Sequence, residues 1–201
     1  DWMKDDPRLP ILAARRSDKS TAIADLIGMP NGSTGATVAD TSIYAEPNRG
    51  VITGRDAPMV FQTYAEVRLL KAEMAFRGWS VPGDAKTHYE AGVKAAMQML
   101  GSIYPKTAAI TDAQVADYLA AKPYDAAKGW EMISEQYWAA TLLNEYESFN
   151  NWRRTGYPTL TPVNYDGNVT GGTIPRRLIY PVSEPTMFNT NSTYVSFCRT
   201  K

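Results

Sequence analysis

The chain has 201 residues, of which 44% are hydrophobic, and this content is enough to bury a core in one or at most two domains. Lys and Arg number 21, as do Asp and Glu, so no net charge points to a nucleic acid or an anionic membrane surface as partner. The one cysteine excludes an internal disulfide and a cysteine-built metal cage, and no apolar run approaches the ~20 residues that a membrane-spanning helix needs.

The first 59 residues predict a loop-rich segment. Glycine, proline and asparagine interrupt it at short intervals, and only residues 22–27 suggest a short turn of helix. A loop of this length inside a domain is commonly a binding surface or depends on a missing partner segment.

Two amphipathic helices follow and predict an antiparallel hairpin. Apolar side chains recur every three or four positions over residues 60–79, where Gly78 ends the pattern. Asp84 is a good N-cap for a second helix over residues 85–100, which Gly101 would stop. Small residues allow the two helices to approach closely; they are Ala72, Ala75, Ala91, Gly92 and Ala95.

A short helix and a long aromatic helix complete the helical region. Thr111 and Gln114 predict a capping box for the short helix, which ends near residue 121. Over residues 130–152 large apolar side chains again recur every three or four positions, which predicts one helix with one buried face. Gly156 and Pro158 end it. The face consists of Trp130, Ile133, Tyr137, Ala140, Leu143, Tyr146, Phe149 and Trp152.

Residues 153–201 contain too many prolines and glycines for regular elements longer than a short strand. Apolar residues alternate with these breakers, at Leu178, Ile179, Tyr180 and Val182. We therefore predict an ordered segment that wraps over a core rather than a flexible tail.

Two stretches near the C-terminus carry a family resemblance. WRRTGYP spans residues 152–158 and IPRRLIYP spans residues 174–181, and Glu184 and Asn189 follow. This ending resembles the C-terminal signature of the SusD/RagB-like outer-membrane nutrient-binding lipoproteins, closest to the SusD-like branch. The motif residues are Trp152, Arg153, Arg154, Gly156, Pro158, Pro175, Arg176, Pro181, Glu184 and Asn189.

The resemblance extends upstream through most of the chain. TYAEV at residues 63–67 and RGW at residues 77–79 resemble one helix of the family, and DPRLP at residues 6–10 and GMPNG at residues 28–32 resemble earlier landmarks. The resemblance implies a mainly α fold, in which tetratricopeptide-like helical hairpins carry long ordered loops. It also implies that the chain is a single domain over residues 1–201, the C-terminal portion of a SusD-like protein. That domain comprises a loop-rich segment (1–59), helical hairpins (60–152) and a proline-rich wrap (153–201).

The resemblance further implies a function without catalysis. SusD-like proteins capture oligosaccharides at the bacterial outer-membrane surface and deliver them to a SusC-like TonB-dependent transporter. The resemblance also implies that the full-length protein is held at the cell surface by a lipid anchor, which we expect to lie outside this chain. Three alternatives stay open: a peptide-binding member of the same family, a helical-repeat scaffold for protein interaction, and a remnant of a glycoside hydrolase.

The residues themselves give little support for catalysis, for a metal site or for a cofactor. His88 is the only histidine, and its place near the start of a helix predicts exposure. Glu66 and Glu73 lie about 10 Å apart along one helix, a separation that suits an inverting glycosidase pair. However, they project side by side from that helix, so we expect salt bridges to Arg68, Arg77 or contacts with loop backbone. We give the same interpretation to Glu145, Glu147 and Glu184, as capping and loop-anchoring carboxylates.

Four arginines admit two interpretations. Arg153, Arg154, Arg176 and Arg177 could bind an anion, since guanidinium groups suit phosphate and carboxylate. The family resemblance favours a structural role instead, in which they clamp the backbone of the proline-rich segment and pair with Glu184.

Aromatic residues are the remaining candidates for ligand contact. Sugars stack on Trp or Tyr rings, and polar side chains read their hydroxyl groups. Trp130, Tyr137, Trp138 and Trp152 are more typical of a core. In the loop-rich front segment exposure is favoured, so the predicted ligand-facing residues are Trp2 and Tyr44, with Asn48 and Arg49 beside them.

Overall fold

The computed structural model describes residues 3–32, 38–165 and 167–177. By its internal contacts the chain divides into two units, Asp1–Leu160 and Thr161–Lys201. Every helix and strand of the described residues belongs to the first unit, which confirms the prediction of a mainly α fold. The prediction of a single domain over residues 1–201 stays a prediction.

Six α-helices and two short strands make up the first unit in the described part of the chain. The helices are α1 (Leu9–Leu12), α2 (Tyr64–Phe76), α3 (Ala85–Ile103), α4 (Asp112–Ala121), α5 (Gly129–Ala140) and α6 (Glu145–Thr155), and the strands are β1 (Ala13–Arg15) and β2 (Ala45–Pro47). Two 3₁₀ turns, Ile23–Asp25 and Ala126–Lys128, accompany them. The first of these turns falls where the sequence predicts a short turn of helix.

Helices α2 and α3 pack against each other, as the sequence predicts. A capping box starts α2, because the Glu66 side chain accepts a hydrogen bond from the Thr63 backbone nitrogen at 2.8 Å and the Thr63 hydroxyl accepts one from the Glu66 nitrogen. The helices approach so closely that a Cβ atom at Gly92 would lie 2.7 Å from Cγ of Leu69. Glycine at this position is therefore required by packing.

Helix α3 is longer than predicted and ends at Ile103, so the predicted stop at Gly101 is wrong. Gly101 lies within the helix, and a Cβ atom there would lie 2.8 Å from Cα of Ala109. This glycine permits the close approach of the next segment and does not end the helix. The predicted caps at Asp84 and Thr111 are confirmed, since each side chain accepts a hydrogen bond from the backbone three residues on.

The predicted long helix over residues 130–152 is wrong. Helix α5 ends at Ala140 and α6 begins at Glu145, and Leu143 between them has a φ of 69°. The Thr141 hydroxyl donates to the Tyr137 carbonyl at 2.9 Å, and Ser148 donates to the Thr141 carbonyl at 3.0 Å. These side-chain bonds stabilise a turn that competes with a continuous helix.

The predicted buried face is interrupted at this turn and resumes only at Trp152, which is buried. Ile133, Tyr137 and Ala140 are buried, whereas Tyr146 is 84% exposed. Gly156 closes α6 in the left-handed conformation and donates to the Trp152 carbonyl at 2.8 Å, as the sequence predicts.

The front segment has more regular structure than predicted. β1 and β2 pair antiparallel, with Ala14 opposite Glu46, although some 30 residues separate them along the chain. Asp6 and Arg8 form a fully buried ion pair, and Arg8 Nη2 donates to Gln136 Oε1 at 2.8 Å. This segment is therefore tied to α5 through a buried charge and its partners.

His88 is buried, so the predicted exposure is wrong. Its Nε2 atom lies 2.7 Å from the Pro82 carbonyl oxygen, and the residue is 4% exposed. Gly83, with a φ of 93°, folds the turn before α3 back over this ring. The histidine therefore fixes a turn.

Helices α2 to α5 and the front segment supply the core of the first unit. Its fully buried members include Leu69, Tyr89, Val93, Met97 and Ile133. No helix among residues 3–32, 38–165 and 167–177 has both the length and the apolarity to cross a membrane.

The second unit is described for residues 161–165 and 167–177, which form turns without a helix or strand. The Asn168 side chain accepts a hydrogen bond from the Thr170 nitrogen at 2.8 Å, and Gly167 and Gly172 have positive φ. Three residues of the predicted family motif, Pro181, Glu184 and Asn189, lie outside the described residues, as does Trp2.

Candidate binding groove

A buried carboxylate joins helices α2 and α6. Glu73, which is 8% exposed, accepts hydrogen bonds from both terminal nitrogens of Arg154, with Nη2 at 2.8 Å from Oε2. Arg77 also donates to it through Nε at 3.0 Å. The salt bridge predicted between Glu73 and Arg77 is therefore confirmed. The contact with Arg154 spans 81 residues of sequence.

Aromatic rings flank these arginines. The guanidinium carbon of Arg77 lies 4.5 Å from the ring centroid of Trp130, and that of Arg154 lies 5.8 Å from the same ring. Phe76 stacks on Trp130 with a centroid separation of 6.2 Å, and Trp130 donates through its indole nitrogen to the Thr155 carbonyl. Charged and aromatic groups thus hold the end of α2 against α5 and α6.

An open groove of about 420 Å³ lies next to this salt bridge, between α2, α5 and α6. Most of its polar side chains come from one face of α6, at spacings of three and four residues. It is lined by Leu70, Tyr137, Glu147, Asn150, Asn151, Arg153 and Arg154. The groove therefore offers amide and guanidinium donors, carboxylate and amide acceptors, and a tyrosine ring.

The tyrosine hydroxyl in the groove is held in its neutral form. Burial raises the pKa of Tyr137, and the nearby carboxylates of Glu66 and Glu147 raise it further. The hydroxyl donates to Glu147 Oε2 at 3.4 Å. Burial also raises the pKa of Glu66, and repulsion from Glu147 adds to this effect. Hydrogen bonds from Thr63 to the Glu66 carboxylate act in the opposite direction.

The acidic residues weighed for glycosidase chemistry have structural partners. Glu66 caps α2 through Thr63, and Glu73 binds Arg77 and Arg154. Of the groove-lining residues only Glu147 is acidic. Among the residues that the structure describes, no three His, Cys, Asp or Glu side chains are grouped as metal ligands.

The ligand-facing residues predicted from the sequence lie elsewhere. Tyr44 is half-buried and pairs with Ile27 through a β-bridge, and Asn48 donates from its backbone to Leu12 at 2.9 Å. Arg49 is exposed and lies 3.3 Å from Glu46. They flank residues 45–47, which line a second, apolar hollow of about 290 Å³ that also includes Trp138. Their role in binding stays a prediction.

The described residues of the predicted family motif differ in their burial and in their structural roles. Trp152 and Pro158 are buried, Gly156 is the left-handed cap of α6, and Arg153 and Arg154 line the groove. In the second unit Pro175 and Arg176 are exposed.

The polar face of α6 is not among the residues predicted from the sequence. Glu147, Asn150, Asn151 and Arg154 recur with helical period, but the aromatic residues interleaved with them give a stronger pattern. A search for polar periodicity would have found this face.

Comparison with known proteins defines the class. Residues 2–181 match a family model of SusD-like proteins described as starch-binding and associating with the outer membrane. The chain belongs to this SusD-like family. No match is found among curated proteins.

Solved structures agree with this assignment. A chitin-binding protein is similar over 98% of this chain and 44% of its own length, with 31% identity and a TM-score of 0.75. A SusD homologue from Bacteroides fragilis is similar over 94% of this chain and 45% of its own, with 26% identity and a TM-score of 0.76. A SusD-like protein from Bacteroidetes shows 32% identity over 78% of this chain and 30% of its own, with a TM-score of 0.64. The chain therefore spans less than half the length of these relatives.

Proposed function

We propose that this chain binds an oligosaccharide in the groove between α2, α5 and α6 and does not alter it chemically. The observation that carries this proposal is the lining of the groove, which combines a neutral tyrosine with amide, guanidinium and carboxylate groups. Sugars present hydroxyl groups that both donate and accept hydrogen bonds, so a mixed lining suits them. The family description and the chitin-binding relative support the same ligand class.

The groups in the groove are arranged for binding. Asn150 and Arg153 are exposed on α6, where Arg153 Nη2 donates to Asn150 Oδ1 at 3.3 Å, while Glu147 supplies acceptors next to Tyr137. Arg154 is held by Glu73, which fixes its position without a ligand. A preorganised donor loses less conformational entropy on binding than a mobile one.

Isothermal titration of the chain with N-acetylchitohexaose and with maltoheptaose tests the proposal. We expect saturable binding of at least one of these sugars, and chromatography of the incubated mixture should show no shorter product. Release of shorter sugars would favour the hydrolase alternative. Binding of a peptide mixture with no affinity for either sugar would favour the peptide-binding alternative. Affinity for neither would favour a scaffold for protein interaction.

We further propose that the full-length protein resides at the outer-membrane surface through a lipid anchor and passes its ligand to a SusC-like TonB-dependent transporter. The family description, which includes association with the outer membrane, supports this location. Co-purification of the full-length protein with such a transporter from detergent-solubilised outer membranes tests the partnership. Recovery of the protein without any transporter would contradict it.

Trp2, Tyr44, Asn48 and Arg49 remain proposed as additional ligand contacts. The last three flank the apolar hollow beside β2. Replacement of Tyr44 by Ala should weaken sugar binding if this region contributes, and unchanged affinity would remove it from the site.

A further inference from the structure

We propose that Trp79 is a second sugar-binding platform, which extends the groove for longer oligosaccharides. This inference rests on the proposed function and adds to it a residue and a preference for chain length. Trp79 is 57% exposed, and it lies three residues after Phe76, the last residue of α2.

The backbone of Trp79 is fixed. Gly78, with a φ of 73°, donates to the Ala75 carbonyl at 3.0 Å, and the Trp79 nitrogen donates to the Met74 carbonyl at 2.9 Å. These two bonds form a Schellman motif, which closes the helix and defines the path of the residue that follows the glycine. An exposed indole is thereby attached to a rigid helix end.

The ring of Trp79 also makes a cation–π contact with Arg77. The guanidinium carbon of Arg77 lies 5.4 Å from the Trp79 ring centroid and 4.5 Å from that of Trp130. Arg77 is itself bonded to the buried carboxylate of Glu73 at 3.0 Å. The cation thus bridges an exposed indole and a part-buried one, and this limits the rotamers of Trp79.

The platform is connected to the groove through one salt bridge. Glu73 binds Arg77 below Trp79 and also binds Arg154, which lines the groove. Arg154 and Arg77 lie against the same indole, that of Trp130. Trp79 is thus linked to a groove-lining residue through Arg77 and Glu73, so a ligand long enough to extend from Arg154 to Arg77 would reach its ring.

The chemistry of the platform suits a pyranose ring. A flat indole covers the apolar C–H face of a sugar, and its large area contributes much binding energy for little loss of side-chain entropy. The Arg77 guanidinium beside it supplies donors for hydroxyl groups. Tyr146, which is more exposed at 84%, has no arginine stacked on it among the described residues and serves as the comparison.

Titration with oligosaccharides of increasing length tests the inference. The titration above shows whether the chain binds chitin-type or maltose-type oligosaccharides. The chain is then titrated with the trimer and with the hexamer of the series that binds. We expect wild type to bind the hexamer about tenfold more tightly than the trimer. Trp79→Ala should remove this gain and leave trimer affinity unchanged, whereas Trp79→Phe should keep most of it. Tyr146→Ala should behave as wild type.

A second readout separates binding from folding. Iodide quenching of tryptophan fluorescence should be reduced by the hexamer in wild type but not in Trp79→Phe, and the trimer should protect neither protein. Circular dichroism of each variant checks that the helices are retained.

Two outcomes would overturn the inference while the proposed function stands. One is hexamer affinity in Trp79→Ala equal to that of wild type, and the other is an equal loss of trimer and hexamer affinity. If wild type binds neither series, the proposed function itself fails, and the inference fails with it.

Discussion

At the scale of single residues, Glu73 has the most consequential position. It is buried, and two arginines from different parts of the chain bind it. Its burial means that both arginines depend on it to hold their positions beside Trp130. The attraction within a buried ion pair is largely offset by the cost of removing both charges from water, so the pair adds little net stability. Removal of one partner is nevertheless strongly destabilising, because it leaves the other charge without compensation.

Replacement of Glu73 by Ala should lower the free energy of unfolding by about 3 kcal/mol, because Arg77 and Arg154 lose their partner at a part-buried site. Urea denaturation measures this change. Glu90→Ala is the matched control, since Glu90 pairs with the exposed Lys86 at 3.8 Å and should change stability by less than about 0.5 kcal/mol. Equal effects of the two variants would contradict a special role for Glu73.

In the groove, Arg153→Ala should weaken sugar binding about three- to tenfold, because it removes exposed donors without removing the salt bridge of Arg154. Calorimetric titration with the sugar that wild type binds gives the change. Arg55→Ala removes an exposed arginine of the front segment and should leave affinity unchanged. A loss in both variants would indicate a general effect of charge instead of a contact.

At the scale of helices, the features that the sequence predicts correctly are those with local signals. The caps of α3 and α4 rest on residues three positions apart, and both helices begin where the sequence predicts them, whereas α2 begins at Tyr64, inside the predicted range of 60–79. The turn between α5 and α6 was missed because the apolar spacing continues across it, while the hydroxyl bonds of Thr141 and Ser148 decide the backbone.

Long-range contacts explain the other features of the structure that the sequence does not predict. β1 and β2 have three residues each, too few for a pattern, and they exist because distant segments pair. The groove depends on the bond between Arg154 and Glu73, which no spacing in the sequence reveals. The family resemblance favours a structural role for Arg154 but names Glu184, which lies outside the described residues, as the acidic partner and does not point to Glu73.

The pairing of α2 with α3 gives a prediction of its own. Gly92→Ala should destabilise the chain by about 1–2 kcal/mol, because the added methyl group would lie 2.7 Å from the buried Leu69 side chain and outweighs the better helix propensity of alanine. Thermal or urea unfolding measures it. Gly54→Ala is the control, since nothing lies within 4 Å of its added methyl group. Stabilisation in Gly92→Ala would contradict the close approach.

At the scale of the whole molecule, stability should depend on pH through carboxyl groups whose pKa burial raises. Burial, the larger cause, and repulsion from Glu131 raise the pKa of Glu135 to about 7, while Lys122 lowers it slightly. Burial raises the pKa of Glu66 as well. For an acid whose pKa is raised on folding, the folded state binds more protons, so stability is greatest near pH 5 and falls as the pH rises through 7.

We expect the free energy of unfolding to fall by about 1–2 kcal/mol between pH 5 and pH 8. This is less than the full pKa shift would give, because Glu135 is only partly buried and solvent screens the effect. Glu135→Gln should flatten most of this slope, because the amide does not titrate. Denaturation curves at several pH values measure it, with Glu145→Gln at an exposed position as control. A slope that persists in Glu135→Gln would assign the effect to another group.

The Glu73 carboxylate, which two arginines share, couples ligand binding to folding. A sugar that contacts Arg154 binds a residue whose position requires α2 and α6 to be docked, so it has no counterpart in the unfolded chain. Ligand occupancy should therefore raise the melting temperature in proportion to the logarithm of sugar concentration. A simple heat-ramp assay would then serve to screen glycans.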